Sequence, residues 1–133
     1  MKKKIVFIIN PISGTIKKDE IPLMISEEID ANLFDITVLF TEYRGHGCEL
    51  ARTYLSKGYN YIVAVGGDGT VNEVARELIH STASLGIVPI GSGNGLARHL
   101  NSPMSPRKAI AQIKQSESIL IDYGIVNKQP FFC

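Results

Sequence analysis

Charge of one sign is what this sequence most plainly lacks. Lys and Arg number 14 and Asp and Glu 13, a formal net charge of +1 at neutral pH. A nucleic-acid partner would need a basic stripe that this balance does not supply. Cysteine is nearly absent, with only Cys48 and Cys133. They have no metal-ligand spacing and make no disulfide framework, so a reduced, cytoplasmic setting is expected. No apolar run approaches the ~18 residues of a membrane-spanning helix. The run Ile5-Val6-Phe7-Ile8-Ile9 follows Lys2-Lys3-Lys4 and stops at Asn10-Pro11. It is too short for a signal-peptide core and reads as a buried strand. Lys2-Lys3-Lys4 reads as a solvated terminus, with weak contact to anionic lipid heads as the alternative. A membrane substrate would therefore have to be met at the bilayer surface.

Two common phosphate-binding patterns are missing as well. No Lys follows a glycine at the spacing GxxxxGK[ST]. Gly91 and Gly93 are followed by Leu96 where GxGxxG needs its third glycine. A P-loop nucleotidase and a usual dinucleotide dehydrogenase are thereby excluded.

What remains is an ordinary globular composition, 133 residues with 44% apolar and 20% charged, enough for one domain with a real core. Strand-like and helix-like stretches alternate. Strands are expected at 5–9, 34–40, 61–65, 85–90 and 119–126. Helices are expected at 23–33, 47–57, from Thr70 onward, from 96–100 and from Ser105-Pro106, with Gly58 just past the end of the second. This order predicts an α/β fold with a parallel sheet and helices on both faces. Three Gly- or Asn-rich loops then fall at strand carboxyl ends, at 10–14, 66–69 and 91–95. Ligands of such folds bind there, so the loops should form one composite site.

The stretch Gly66-Gly67-Asp68-Gly69 lacks β-carbons at three of four positions. Its backbone is free to take φ > 0 and turn its N–H groups toward an anion. Thr70-Val71-Asn72-Glu73 reads as a capping box, with Thr70 as N-cap and Glu73 reaching back, so a helix N-terminus faces the same space. Asp68 would repel a phosphate unless a divalent cation lies between them, or unless it takes a proton from an attacking hydroxyl. Phosphoryl transfer uses both. The plainer reading has Asp68 bonding its own turn. Ser92 and nearby amides could donate to phosphate; Asn94 could cap or contact a nucleotide. Arg98 reads as an ion-pair residue and His46 as a capping or packing residue. Thr41 ends the second strand on the same rim.

Four motifs now stand in order: NPISG at 10–14, TEYRGHGCELAR at 41–52, GGDGTVNEV at 66–74 and GIVPIGSGNGLARHL at 86–100. With them the chain resembles the catalytic N-terminal domain of the diacylglycerol kinase and sphingosine kinase family, bacterial lipid kinases included. GGDGT alone is shared with NAD kinases; the ordered set is far more specific. The resemblance implies a three-layer α/β nucleotide-binding domain similar to those of NAD kinase and phosphofructokinase. It implies ATP and Mg²⁺ as cofactors and a lipid alcohol as partner, phosphorylated by a cytoplasmic enzyme in transient contact with a membrane. Nucleotide-binding positions then fall on Asn10, Pro11, Ile12, Ser13, Gly14 and Thr41, on Gly66, Gly67, Asp68, Gly69, Thr70, Val71 and Asn72, and on Ser92. Asp68 matches the aspartate tied to catalysis or, indirectly, to the metal. Ser92 and Gly95 depart from the Thr and Asp frequent in bacterial members and are closer to sphingosine- and ceramide-kinase-like versions. Family members continue into a mostly β second domain, and NKQPFFC at 127–133 resembles the crossing into it. The expectation is that residues 1–133 are one domain of a longer two-domain enzyme and are inactive alone. The alternatives are an NAD kinase-like enzyme, which leaves NPISG and GSGNGLARHL unexplained, and a stand-alone nucleotide-binding module.

Overall fold

Ile5, Phe7 and Ile9 point to one side of the first strand and Val6 and Ile8 to the other, and all five are buried. Apolar side chains on both faces require cover on both, which a helix-flanked parallel sheet provides. The computed structural model describes residues 2–11, 19–90 and 106–115. It contains β1 (Lys3–Ile9), α1 (Glu20–Glu28), β2 (Phe34–Phe40), α2 (His46–Ser56), β3 (Tyr61–Gly66), α3 (Asp68–Leu78), β4 (Ser84–Pro89) and α4 (Pro106–Gln115). All strand pairings are parallel, in the order β2-β1-β3-β4.

Each face has its own core. Val6, Ile8, Ile62, Ala64 and Ile87 pack with Ala51 of α2 and with Val71, Val74 and Leu78 of α3. Phe7, Ile9, Val63, Val65 and Val88 pack with Ile21 and Ile25 of α1 and Ile110 and Ile113 of α4. The three-layer α/β architecture expected from the sequence is present.

The helix boundaries need two corrections. α1 spans Glu20–Glu28 rather than 23–33. Its buried stripe is Ile21, Ile25 and Ile29, and Pro22 falls in the first turn, where a missing N–H costs nothing. Leu33 is exposed and belongs to the turn before β2, where Asn32 N–H bonds Asp30 Oδ1. α3 starts at Asp68 with Gly67 as its N-cap, not at Thr70. Gly58 follows α2 with φ +83°, as the sequence suggested. The expected strand at 119–126, the helix from 96–100, the 91–95 loop and the NKQPFFC stretch lie outside the described residues.

The chain leaves β1 toward β2 on one side and later returns to place β3 on the other. Sheets wound in both directions have a crevice at the carboxyl ends of the two strands where the direction changes. Here those are β1 and β3, whose last residues, Ile9 and Gly66, lead into Asn10 and Gly67.

Candidate active site

Parallel hydrogen bonding runs past the strand ends and lines up the segments that follow. Asn10 N–H donates to Val65 O at 2.9 Å, Thr41 N–H to Ile9 O at 2.8 Å and Ile90 N–H to Gly66 O at 3.1 Å. Thr41, Asn10 and Gly66 are thereby fixed side by side by backbone alone. In front of them is a cleft of about 490 Å³. Asn10 and Pro11 line it after β1, residues 41–44 after β2, and Gly69, Thr70 and Glu73 from α3. Its size is within the range of small-molecule sites. A larger cavity of about 730 Å³ lies between α1 and the β2 edge. None of the glycine-loop residues lines it, whereas Gly69 lines the smaller one.

The glycines have separate reasons. None of Gly66, Gly67 and Gly69 has a positive φ, contrary to the expectation of a left-handed phosphate loop. The N-cap lies three residues earlier than expected, at Gly67 rather than Thr70, and ordinary backbone suffices. Gly66 is glycine because of packing: a β-carbon there would lie 2.9 Å from Thr70 Cβ and Oγ1 and 3.3 Å from Asn10 Cβ. Gly69 is the opposite case. A β-carbon there would meet nothing within 4 Å, so the open space before it is the cleft itself. A glycine in a first helical turn, without strain or crowding to explain it, leaves room for a ligand to come close.

Asp68 is exposed and occupies the first helical position of α3. A carboxylate there is favoured by the helix dipole. It also reduces the attraction of that helix end for a phosphate. Among the described residues no group of three or more His, Cys, Asp and Glu could hold a metal ion alone. One carboxylate therefore suits a cation whose other ligands come from phosphate and water.

The capping box is corrected too. Thr70 is buried in the first turn of α3, and Glu73 does not reach back to cap its own helix. Its Oε2 accepts from Gly45 N–H at 3.0 Å and its Oε1 from Gly47 N–H at 2.9 Å, both at the start of α2. Val71 is wholly buried in the core, and its N–H donates to Gly67 O. Ile12, Ser13, Gly14 and Ser92 lie outside the described residues.

The 41–45 segment is folded on itself. His46 Nδ1 accepts from Glu42 N–H at 2.9 Å, and its ring stacks on Tyr43 with centroids 4.4 Å apart. This agrees with a packing role for His46. Tyr43 donates its hydroxyl to Glu49, which raises its pKa above the usual 10.0. Glu42, Tyr43 and Arg44 join Thr41 on the cleft wall. The sequence reading missed these three, although they follow a strand end as the glycine loops do.

Residues 4–126 match the diacylglycerol kinase catalytic domain. The chain is 32% identical over 134 residues to a diacylglycerol kinase of Staphylococcus saprophyticus, covering 98% of this chain and 44% of the relative. It is 30% identical over 134 residues to a diacylglycerol kinase of Staphylococcus aureus, covering 98% and 42%. A solved diacylglycerol kinase from Bacillus anthracis superposes with a TM-score of 0.76 at 28% identity, over 85% of this chain and 39% of that one. The chain thus spans less than half the length of the relatives it matches. With a three-layer fold, a cleft at the β1/β3 switch point and a match over residues 4–126, the chain belongs to the diacylglycerol kinase catalytic domain family.

Proposed function

We propose that this chain is the nucleotide-binding lobe of a lipid kinase, which moves the γ-phosphoryl group of ATP to the hydroxyl of a lipid alcohol. The observation that carries this reading is the convergence of Asn10, Thr41, Gly69 and Thr70 on one cleft beside Asp68. The diacylglycerol kinases it matches favour a diacylglycerol acceptor, with a sphingoid base or similar lipid as the alternative.

Asn10, Pro11 and Thr41 hold the nucleotide against the strand ends, and the family resemblance adds Ile12, Ser13, Gly14 and Ser92. Gly66 lets the end of β3 pack closely on Thr70 and Asn10, Gly67 caps α3, and Gly69 lets a phosphate come close to α3. Thr70 borders this approach, the family resemblance adds Asn72, and Val71 fixes their helix to the core. Magnesium, when bound, would neutralise phosphate charge. Asp68 would hold that cation or accept the proton of the lipid hydroxyl. As the hydroxyl oxygen bonds to the γ-phosphorus, the bond to the bridging oxygen breaks and ADP leaves. Among the described residues no helix is long and apolar enough to cross a membrane. The lobe works from the cytoplasm and meets its lipid at the membrane surface.

Calorimetric titration of the chain with ADP and ATP, with and without Mg²⁺ and with NAD for comparison, tests the reading. Adenine-nucleotide binding that strengthens with Mg²⁺ is expected. Tighter binding of NAD would overturn it in favour of an NAD kinase-like enzyme.

A further inference from the structure

α2 begins on a residue that cannot cap it. Gly45 holds the N-cap position with φ +91° and no side chain to offer the first-turn amides. Such amides need an acceptor. The acceptor comes from another helix, as the Glu73 carboxylate takes Gly45 N–H on one oxygen and Gly47 N–H on the other. A negative charge at this end of α2 is also favoured by its dipole. With both oxygens engaged, the side chain is held in angle as well as distance.

Gly47 is the other half of the arrangement. A β-carbon on it would lie 2.7 Å from Glu73 Oε1 and 3.2 Å from Glu73 Cβ. The glycine leaves the space that the carboxylate fills. The partners also join the two walls of the cleft. Residues 41–44, just before Gly45, form one wall; Gly69 and Thr70, on the helix that opens with Asp68, form the other.

We propose that Glu73 is a positioning residue that latches the 41–45 wall to α3, sets the width of the cleft and so sets its affinity for the nucleotide. The inference rests on the nucleotide reading above. It makes Gly47 and Glu73 mutually dependent. Removing the carboxylate frees the wall, and a methyl group on Gly47 displaces the carboxylate and frees it too.

The test is a double-mutant cycle on the full chain with Glu73→Ala, Gly47→Ala and both together, and Glu73→Gln alongside. ADP affinity is measured by calorimetry at a temperature where every variant is folded. Amide hydrogen exchange at Gly45 and Gly47 is followed without nucleotide. Each single substitution should weaken ADP binding about tenfold, the scale of losing a charged acceptor. The double variant should be no weaker than the worse single one. Exchange at Gly45 and Gly47 should quicken in Glu73→Ala and less so in Glu73→Gln, which keeps one acceptor oxygen. If Glu73→Ala does not fold, Glu73→Gln carries the affinity and exchange comparison. Wild-type affinity in both single variants, or losses that multiply to about a hundredfold in the double, overturns the latch. A wild-type chain that binds no adenine nucleotide defeats the nucleotide reading instead. The latch then stands or falls on the exchange data and on the same cycle in unfolding free energy.

Discussion

Thr70 occupies the place that a side chain on Gly66 would need. Its Cβ and Oγ1 each lie 2.9 Å from where a β-carbon on Gly66 would be, and Asn10 Cβ closes the other side at 3.3 Å. Gly66→Ala must therefore push apart the end of β3 and the start of α3. We expect it to cost about 1–3 kcal/mol of stability, the usual range for overpacking. Denaturant unfolding would show this, and a midpoint equal to that of the wild type would contradict the packing argument.

Gly69→Ala should behave in the opposite way. The added methyl meets no protein atom within 4 Å. Alanine is also the better helix former, by up to about 1 kcal/mol. The variant should fold at least as stably as the parent but bind ADP about tenfold or more weakly, a loss of about 1.4 kcal/mol. Calorimetry and a thermal melt on the same sample separate the two effects. Unchanged affinity would mean that the ligand does not come close to this turn.

Asp68→Asn keeps the shape of the first turn of α3 and removes its charge. Affinity for ADP without Mg²⁺ should hold or rise, because a negative charge has left the helix end. The strengthening by Mg²⁺ should shrink or vanish. In the full-length two-domain enzyme, phosphoryl transfer to a lipid alcohol should fall by a factor of about 10² or more. Wild-type Mg²⁺ dependence together with wild-type turnover would remove Asp68 from the reaction.

Tyr43 provides a pH test of the cleft wall. Its hydroxyl donates to Glu49, and that bond raises its pKa above the ordinary 10.0. A pKa raised in the folded state means stability that is full below the unfolded value and lost as pH rises through the folded one. The contribution is therefore lost only in alkali. Glu49→Ala should bring the phenol titration, followed by ultraviolet absorbance or tyrosine NMR, back down toward 10.0. An unshifted titration curve in that variant would show that the bond does not form in solution.

The strands are the most legible part of the sequence, because a strand covered on both faces is a continuous apolar run. Ile5 to Ile9 is such a run, and β1 extends it only by Lys3 and Lys4. Helix starts are less legible. Reading Thr70 as an N-cap follows a sound preference, but Gly67 takes that place and the threonine is buried. The first helix is displaced because Leu33, apolar and well spaced, faces water instead of the core. The site is half legible. Asn10, Thr41, Gly69 and Thr70 follow from their place after strands. The attachment of Glu73 to Gly45 and Gly47 does not, because no spacing rule links a side chain to amides on another helix. The one local hint is a pair of glycines flanking His46, which reads as a loop until the carboxylate is seen between them.

The central place of β1 has a consequence for how the chain is made. Ile5 pairs with Ile36 on one side and with Tyr61 on the other. The first of the described strands thus keeps an open edge until β3 has emerged. Parallel pairings between distant segments form slowly, because a long loop must close before any contact rewards it. During that interval an almost wholly apolar strand is exposed, which invites capture by a chaperone or by another nascent copy. Lys3 and Lys4 at its entry, both at the surface in the finished fold, give the emerging strand a charged flank that discourages such pairing.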